Sequence, residues 1–348
     1  MVAQRKKESD NILYIGVDLG TSRSAVSASN GVREWERSLV GWPKDIIAKK
    51  FLKRDIVFGE ACLKHRLALD VFRPLAAGVI KTGTDRDEEA ARTLVKHLIS
   101  MAKPEPGQSV YAVVGAPAEA STFNKQLIRE AVSDVADACL IVSEPFTIAY
   151  GLEMLFNTLV VDIGAGTIDL CIMHGTVPAA EDQKTLVQAG DFIDQQLFEM
   201  LTERYPSAQF TETMVQRWKE EHAFVRVDGS PQDKIIVSIP VGGRPTSHDI
   251  TDELSRACSA ILPFLREELR TLIASFDPEF QVEVRQNVVL AGGGSQIRGL
   301  RQWLEADLAD LGGGHVSTVE DPLYAGADGA LAIARDTPAD DWDRLRTL

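Results

Sequence analysis

The sequence predicts an α/β protein of two similar halves, each a mixed sheet flanked by helices and interrupted by an inserted subdomain. Three observations lead there. An apolar strand that runs into an aspartate and then a glycine turn occurs twice, at Ile15-Gly16-Val17-Asp18-Leu19-Gly20-Thr21-Ser22 and at Val161-Asp162-Ile163-Gly164-Ala165-Gly166-Thr167. The two aspartates stand about one domain's length apart, in a chain of 348 residues that can build two cores. After each copy, strand-like and helix-like apolar spacings follow in a similar order.

In the first half, Ile12 to Val17 is a buried strand, Ala25 to Ala28 a second, and Asn30-Gly31 a hairpin turn before a third at Val32. Residues 40 to 83 are less regular, punctuated by Pro43, Gly59, Pro74, Gly78 and Gly83, and read as a small insert. From Asp85, Ala90, Ala91, Leu94, Val95, Leu98 and Ile99 recur at helical spacing behind an acidic first turn. Tyr111 to Pro117 is a strand, Phe123 to Val135 a helix, and Cys139 to Val142 a strand.

The second half repeats the plan. Thr158 to Ile163, Asp169 to Met173 and Thr185 to Val187 are strands, and Asp191 to Glu203 is a helix. A polar insert carries a helix near Thr213–Ala223 and a strand at Ile235–Ile239. A long helix starts behind Thr251 as its cap and is kinked or restarted at Pro263. Asn287 to Ala291 is a strand running into Gly292-Gly293-Gly294-Ser295, and Ile297 to Leu311 is a helix closed by Gly312-Gly313-Gly314 as cap and connector. Val316 to Val319 is a strand, Tyr324 to Arg335 a helix, and Asp336 to Leu348 a charged, flexible tail.

Composition narrows the function. The apolar share of 45% and charged share of 25% are ordinary for a globular protein, and the net charge of −14 argues against a basic nucleic-acid face. Arg5-Lys6-Lys7 reads as a solvated end, and Met1 to Asn11 has no apolar face for a bilayer. No apolar run approaches the ~20 residues of a membrane span, and no signal peptide is visible. The cysteines (Cys62, Cys139, Cys171, Cys258) form no C-x-x-C pair and read as reduced thiols; the six histidines show no zinc motif.

A glycine turn behind one strand is common and carries little alone. Its second copy, with an aspartate in the same place, suits a triphosphate and its metal: glycine lets backbone N–H groups approach phosphate oxygens, and carboxylates hold hydrated Mg²⁺. Gly292-Gly293-Gly294 is the third element. A strand-to-helix bend with three glycines offers bare backbone to a flat ring. Glu144, at a strand's end and before Pro145, is either favourable with a helix dipole or placed to orient water. The three surrounding elements favour the second role.

In order, Asp18-Leu19-Gly20-Thr21, Ser143-Glu144-Pro145 with Ala149-Tyr150-Gly151, Asp162 to Thr167, Ala291 to Ser295, and Asp321-Pro322 with Gly326-Ala327 and Gly329-Ala330 resemble the five signature segments of the actin, sugar-kinase and chaperone ATPase superfamily. The series spans residues 15–334. Within it the chain resembles the bacterial actins, and closer still the magnetosome-chain actins, through Val40 to Asp45, Ile141 to Phe146, Gly175 to Pro178 with Glu181 to Gln183, and Leu290 to Ser295 with Ile297 to Leu300.

The resemblance implies an actin-like two-lobed ATPase fold. Residues 1–156 with 321–348 would form domain I, with an insert at about 40–84, and residues 157–320 domain II, with an insert at about 205–250. ATP, or ADP, and Mg²⁺ would be the ligands, with GTP second to ATP. Asp18 and Asp162 would hold the metal's water shell together with Glu144, which also positions the attacking water; Glu144 and Asp162 are the catalytic candidates. Gly20, Thr21 and Ser22 would meet the β-phosphate, and Gly164, Ala165, Gly166 and Thr167 the γ-phosphate. Gly292, Gly293, Gly294 and Ser295 would face the adenosine, Gly190 and Asp194 would pack beside the nucleotide, and Lys219 and Glu220 would reach base and ribose. For Lys219 and Glu220 the alternative is a charge pair on a solvated helix face.

The implied function is a cytoplasmic cytoskeletal filament: head-to-tail self-assembly on ATP, slow hydrolysis, and turnover in the ADP state, beside magnetosome membranes and through adaptor proteins that link filament to organelle. Neither nucleic acid nor direct membrane insertion is expected. Two alternatives use the same superfamily. A small-molecule kinase needs an acceptor-binding domain and a base for a hydroxyl, neither of which is identifiable. The other is a peptide-binding assembly ATPase of pilus or chaperone type; a chaperone calls for a β-rich peptide-binding domain, and none is visible.

Overall fold

The computed structural model describes residues 11–76, 78–81, 84–227 and 233–346. The Arg5-Lys6-Lys7 run and Gly83 lie outside them. The chain forms two compact units: unit 1 holds the residues up to Leu155, Thr176–Ala180 and Asp321 onward, and unit 2 holds Phe156–Gly175 and Glu181–Glu320.

Unit 1 opens with β1 (Ile12–Asp18), β2 (Arg23–Ala28) and β3 (Arg33–Arg37), an antiparallel meander whose Asn30-Gly31 turn places Gly31 at φ +89°. The insert follows as β4 (Val40–Pro43), α1 (Ile46–Leu52), β5 (Val57–Phe58), α2 (Glu60–Lys64), β6 (Leu69–Phe72), β7 (Leu75–Ala76) and β8 (Val79–Ile80). It is more regular than its sequence: β5, β4 and β6 make a small sheet over Val57, Cys62 and Leu69.

Helix α3 (Asp85–Met101) is capped by the Thr84 hydroxyl, which accepts from the Asp87 N–H, and buries the six apolar residues its periodicity marks. Then come β9 (Ser109–Ala116), α4 (Thr122–Ser133), β10 (Ala138–Ser143) and α5 (Glu144–Gly151). The sheet order is β10-β9-β1-β2-β3, with β10, β9 and β1 parallel.

Unit 2 repeats this topology. It contains β11 (Phe156–Ile163), β12 (Ile168–His174), β13 (Gln183–Leu186), α6 (Gly190–Arg204), α7 (Glu212–His222), β14 (Ile236–Val241), β15 (Arg244–Asp249), α8 (Thr251–Ser259), α9 (Leu262–Ser275), α10 (Gln281–Gln286), β16 (Val288–Ala291), α11 (Leu300–Ala309) and β17 (Val316–Thr318). Strands β17, β16 and β11 run parallel, and β11, β12 and β13 form the antiparallel meander. Each sheet therefore carries its aspartate at the carboxyl end of its central strand, the end where parallel sheets bind ligands. The chain returns to unit 1 with α12 (Ala325–Asp336) and α13 (Ala339–Arg346).

Three expectations change. Thr251 is not the cap of α8 but a residue of its first turn. Its hydroxyl accepts from the Ile235 N–H and donates to the Asp249 carboxylate, which also accepts the Thr251 N–H, so Asp249 does the work of the cap. The helix after the glycine triplet begins at Leu300, because Gly293–Gln296 winds as a 3₁₀ turn and Gly299 sits at φ +84°. Of the two outcomes expected at Pro263 the restart is the one found: the 251–275 stretch is two helices, with Pro263 in the first turn of α9. The charged tail, finally, is not flexible up to Arg346. It forms α13 and buries Trp342 to 1% exposure against Tyr14 and Tyr111, with the indole N–H donating to the Ala334 carbonyl.

Candidate nucleotide-binding site

In unit 1 the turn after β1 is held from behind by two serines. The Gly20 carbonyl accepts from the Ser38 hydroxyl at 2.6 Å and the Ser24 hydroxyl at 3.4 Å, and the two hydroxyls are 2.9 Å apart. A side chain at Gly20 would place its Cβ 2.2 Å from the Arg23 carbonyl oxygen, so the turn closes only on glycine. Thr21 is buried; its hydroxyl accepts the Gly78 N–H, which leaves its own proton to donate, and its carbonyl accepts from Arg73 Nε. Ser22 is half-buried beside it. Neither serine brace is announced by any spacing in the sequence.

Asp18 pairs in register with Ala25 across β2 and Gly115 across β9. Burial pushes its carboxyl up to about 6. Glu144, 8% exposed, opens α5 directly behind β10, and Gly115 leaves room for it: a Cβ there would lie 3.1 Å from Glu144 Cγ. The parallel register of β1, β9 and β10 thus puts Asp18 and Glu144 at one edge of one sheet.

The fit around Asp18 is backbone-tight. Helix α12 lies against β1 and α5 through glycines: Cβ atoms at Gly16, Gly326 and Gly329 would meet the Ala327 carbonyl oxygen at 2.1 Å, Asp18 Oδ2 at 2.8 Å and the Thr147 carbonyl oxygen at 1.8 Å.

In unit 2 the turn from β11 to β12 is closed by the Gly164 N–H on the Thr167 carbonyl at 2.9 Å. The start of α6 docks on it, the Gly190 N–H donating to the Gly164 carbonyl and the Asp191 N–H to the Ala165 carbonyl. Lys219 on α7 braces this from behind. Its ammonium donates at 2.7 Å to both the Gly190 carbonyl and Asp194 Oδ2, with side chains only 12% and 15% exposed. Lys219 is therefore neither a solvated surface charge nor a group with its three hydrogens free for a ligand. Burial pushes Asp194 up to about 6 despite Lys219, with Asp191 and Glu220 adding to the rise. Glu220 is exposed.

The glycine triplet packs on Asp162, the aspartate of β11 just before the 164–167 turn. A Cβ at Gly292, whose φ is +69°, would stand 2.3 Å from Asp162 Oδ1, and one at Gly294 2.2 Å from Ile163 Cγ2. Gly293 is different: it is exposed, and a Cβ there would meet nothing within 4 Å. Bare backbone is presented where the protein itself does not require it. Ser295 is buried with its hydroxyl on the Gly292 carbonyl.

Unit 1 therefore gathers Asp18, Gly20, Thr21, Ser22 and Glu144, and unit 2 gathers Asp162, Gly164 to Thr167, Gly190, Asp194, Lys219 and Gly292 to Ser295. Among the described residues no group of three or more His, Cys, Asp or Glu could hold a metal directly. The carboxylates of Asp18 and Glu144 are oxygen donors, the kind that suits Mg²⁺ with its waters rather than zinc. The four cysteines are buried and free, with burial raising Cys62 and Cys139 to about 12. They are inert. No helix among the described residues is long and apolar enough to cross a membrane.

Comparison with known proteins accounts for this arrangement. The MreB/Mbl protein family matches residues 13–340. "Actin-like protein MamK" of Paramagnetospirillum magneticum is 41% identical over 344 residues, covering 99% of this chain and 98% of that protein; its namesake in Magnetospirillum gryphiswaldense is 40% identical, covering 99% and 95%. Among solved structures, the MamK double helical filament superposes with a TM-score of 0.91 at 42% identity, over 94% of this chain and all of that one. A non-polymerising point mutant of MamK bound to AMPPNP gives 0.71 at the same identity, over 94% and 99%. The fold is actin-like, and the chain belongs to the MreB/Mbl family, where it stands with the MamK actin-like proteins.

Proposed function

We propose that this protein is a filament-forming ATPase that assembles head-to-tail in its Mg-ATP state and turns over by slow hydrolysis. The observation that carries the reading is full-length similarity to MamK proteins, of which one solved structure is a double helical filament and another holds AMPPNP. Gly20, Thr21 and Ser22 take the β-phosphate through backbone N–H groups and hydroxyls, Gly164 to Thr167 the γ-phosphate, and the open backbone at Gly293 lies against the adenosine. Glu220 takes the ribose, and Lys219 supports the 164–167 turn rather than touching the base.

Asp18, Asp162 and Glu144 would hold the water shell of Mg²⁺. The cation neutralises phosphate charge when bound. Glu144 orients the attacking water, a task for a buried carboxylate at the start of its helix, where Gly115 leaves room for it. The filament positions magnetosomes in the cytoplasm through adaptor proteins, as the resemblance implies.

Calorimetric titration tests the site. ATP should bind tightly with Mg²⁺ and lose most of its affinity in EDTA, because carboxylates beside a triphosphate repel it without a cation. Equal binding in both buffers would remove Asp18 and Asp162 from the metal role.

A further inference from the structure

Helix α12 touches the Asp18 carboxylate and the backbone of the helix that Glu144 opens. Its first turn brings Gly326 against Asp18, and its middle brings Gly329 against Thr147, one turn into the helix that Glu144 opens. These are contacts of backbone on backbone or on a carboxylate, with no side chain to absorb a shift. A small slide of α12 would therefore move Asp18, Glu144 or both. A second set of contacts, to β2 and β3, fixes its register. Asp328 accepts from the Ser27 hydroxyl at 2.5 Å and from Arg33 Nε at 3.1 Å on Oδ1, and from Arg33 Nη2 at 2.7 Å on Oδ2. Arg33 Nη2 also reaches Asp321 Oδ2 at 3.0 Å, and the guanidinium lies 4.2 Å from the centroid of the Tyr324 ring. One planar cation thus grips the segment entering α12 at two carboxylates and a ring, from β3, the strand next to β2.

We infer that Arg33 is a positioning residue for the metal site: through Asp328, Asp321 and Tyr324 it sets where Gly326 stands against Asp18. This rests on the reading that Asp18 holds the Mg²⁺ water shell. A fork matched to a carboxylate at two points fixes position and direction together, which a single-point ammonium does not. The side chains of Arg33 and Asp328 are 45% and 43% exposed, so the pair contributes little to stability in itself. Its effect is geometric.

The test is calorimetric binding of ATP to Arg33→Met, Asp328→Asn and the double variant, each in Mg²⁺ and in EDTA, with melting curves to show that they fold. Arg33→Met should weaken binding in Mg²⁺ about 3-fold to 10-fold, less than the loss typical of a residue bonded directly to a metal ligand, and leave binding in EDTA unchanged. Asp328→Asn should do the same, and the double variant should be no worse than either single one. Arg33→Lys should restore only part of the affinity. Unchanged binding, equal losses in Mg²⁺ and EDTA, or additive losses would overturn the proposal. Asp18→Ala separates the two levels. If it abolishes the Mg²⁺ advantage while Arg33→Met leaves that advantage unreduced, the positioning role alone falls; if Asp18→Ala leaves the advantage intact, the metal role of Asp18 falls and the positioning role with it.

Discussion

Replacing Lys219 by methionine should destabilise the protein in a way that depends on pH. The substitution keeps an apolar stem and removes the ammonium that spans the Gly190 carbonyl and Asp194, both at 2.7 Å. Asp194 then keeps a carboxylate 15% exposed whose Oδ1 has no hydrogen-bond partner among the described residues. In the intact protein this group already sits near 6 against an ordinary 3.8, a shift that costs about 3 kcal/mol above pH ~7. A folded pKa above the unfolded one means stability present at low pH and lost as pH rises from 3.8 through 6. Without Lys219 the folded pKa climbs further, so the loss extends to higher pH at about 1.4 kcal/mol per unit of added shift.

Near pH 5 Asp194 takes up a proton and only the hydrogen bonds are lost, about 1 kcal/mol. Near pH 8 the total should approach the ~3–5 kcal/mol typical of a broken buried pair. Thermal unfolding at both pH values reads this directly, at roughly 1–2 °C per kcal/mol for a chain of this size. The Lys219→Met/Asp194→Asn double variant should melt with little pH dependence of its deficit. An equal loss for Lys219→Met at both pH values would refute the argument.

Glu144→Ala should slow phosphate release on the order of 10-fold to 10³-fold while ATP binding and assembly persist, because orienting water matters in the transition state and not before it. Filaments of the variant should outlast those of the parent, and unaltered release would leave Glu144 as a helix-start residue only. Trp342→Ala should cost about 3–5 kcal/mol by opening a cavity between Tyr14 and Tyr111, seen as a lowered melting temperature with the nucleotide affinity unchanged.

The periodic elements were legible because they follow from local spacing: α3 buries Ala90, Ala91, Leu94, Val95, Leu98 and Ile99, the residues that repeat at helical intervals. Helix α13 was not, since an eight-residue segment with one buried tryptophan is ordered by what it docks against and not by propensity. Strand β15 had a signal that went unread. Gly242 and Gly243, at φ +56° and +78°, are a two-residue hairpin turn, and the polar residues after them disguised its second strand.

At the site, the strand–aspartate–glycine turns and the glycine triplet stand out in the sequence because the residue types themselves are unusual. The braces do not. Ser24 and Ser38 on the Gly20 carbonyl, and Lys219 on Asp194, are pairs brought together by sheet and helix packing, and nothing in their neighbourhoods marks them. Gly326 and Gly329 fall between: their presence in a glycine-alanine helix is visible, but only the approach of α12 to Asp18 and Thr147 says why a side chain is forbidden there.

In the proposed function Mg-ATP drives this chain into filaments. Electron microscopy of the purified protein, with parallel pelleting, should show polymers with Mg-ATP and few or none with ATP in EDTA or without nucleotide. A protein that stays monomeric in Mg-ATP while transferring phosphate to a small hydroxyl compound would contradict it.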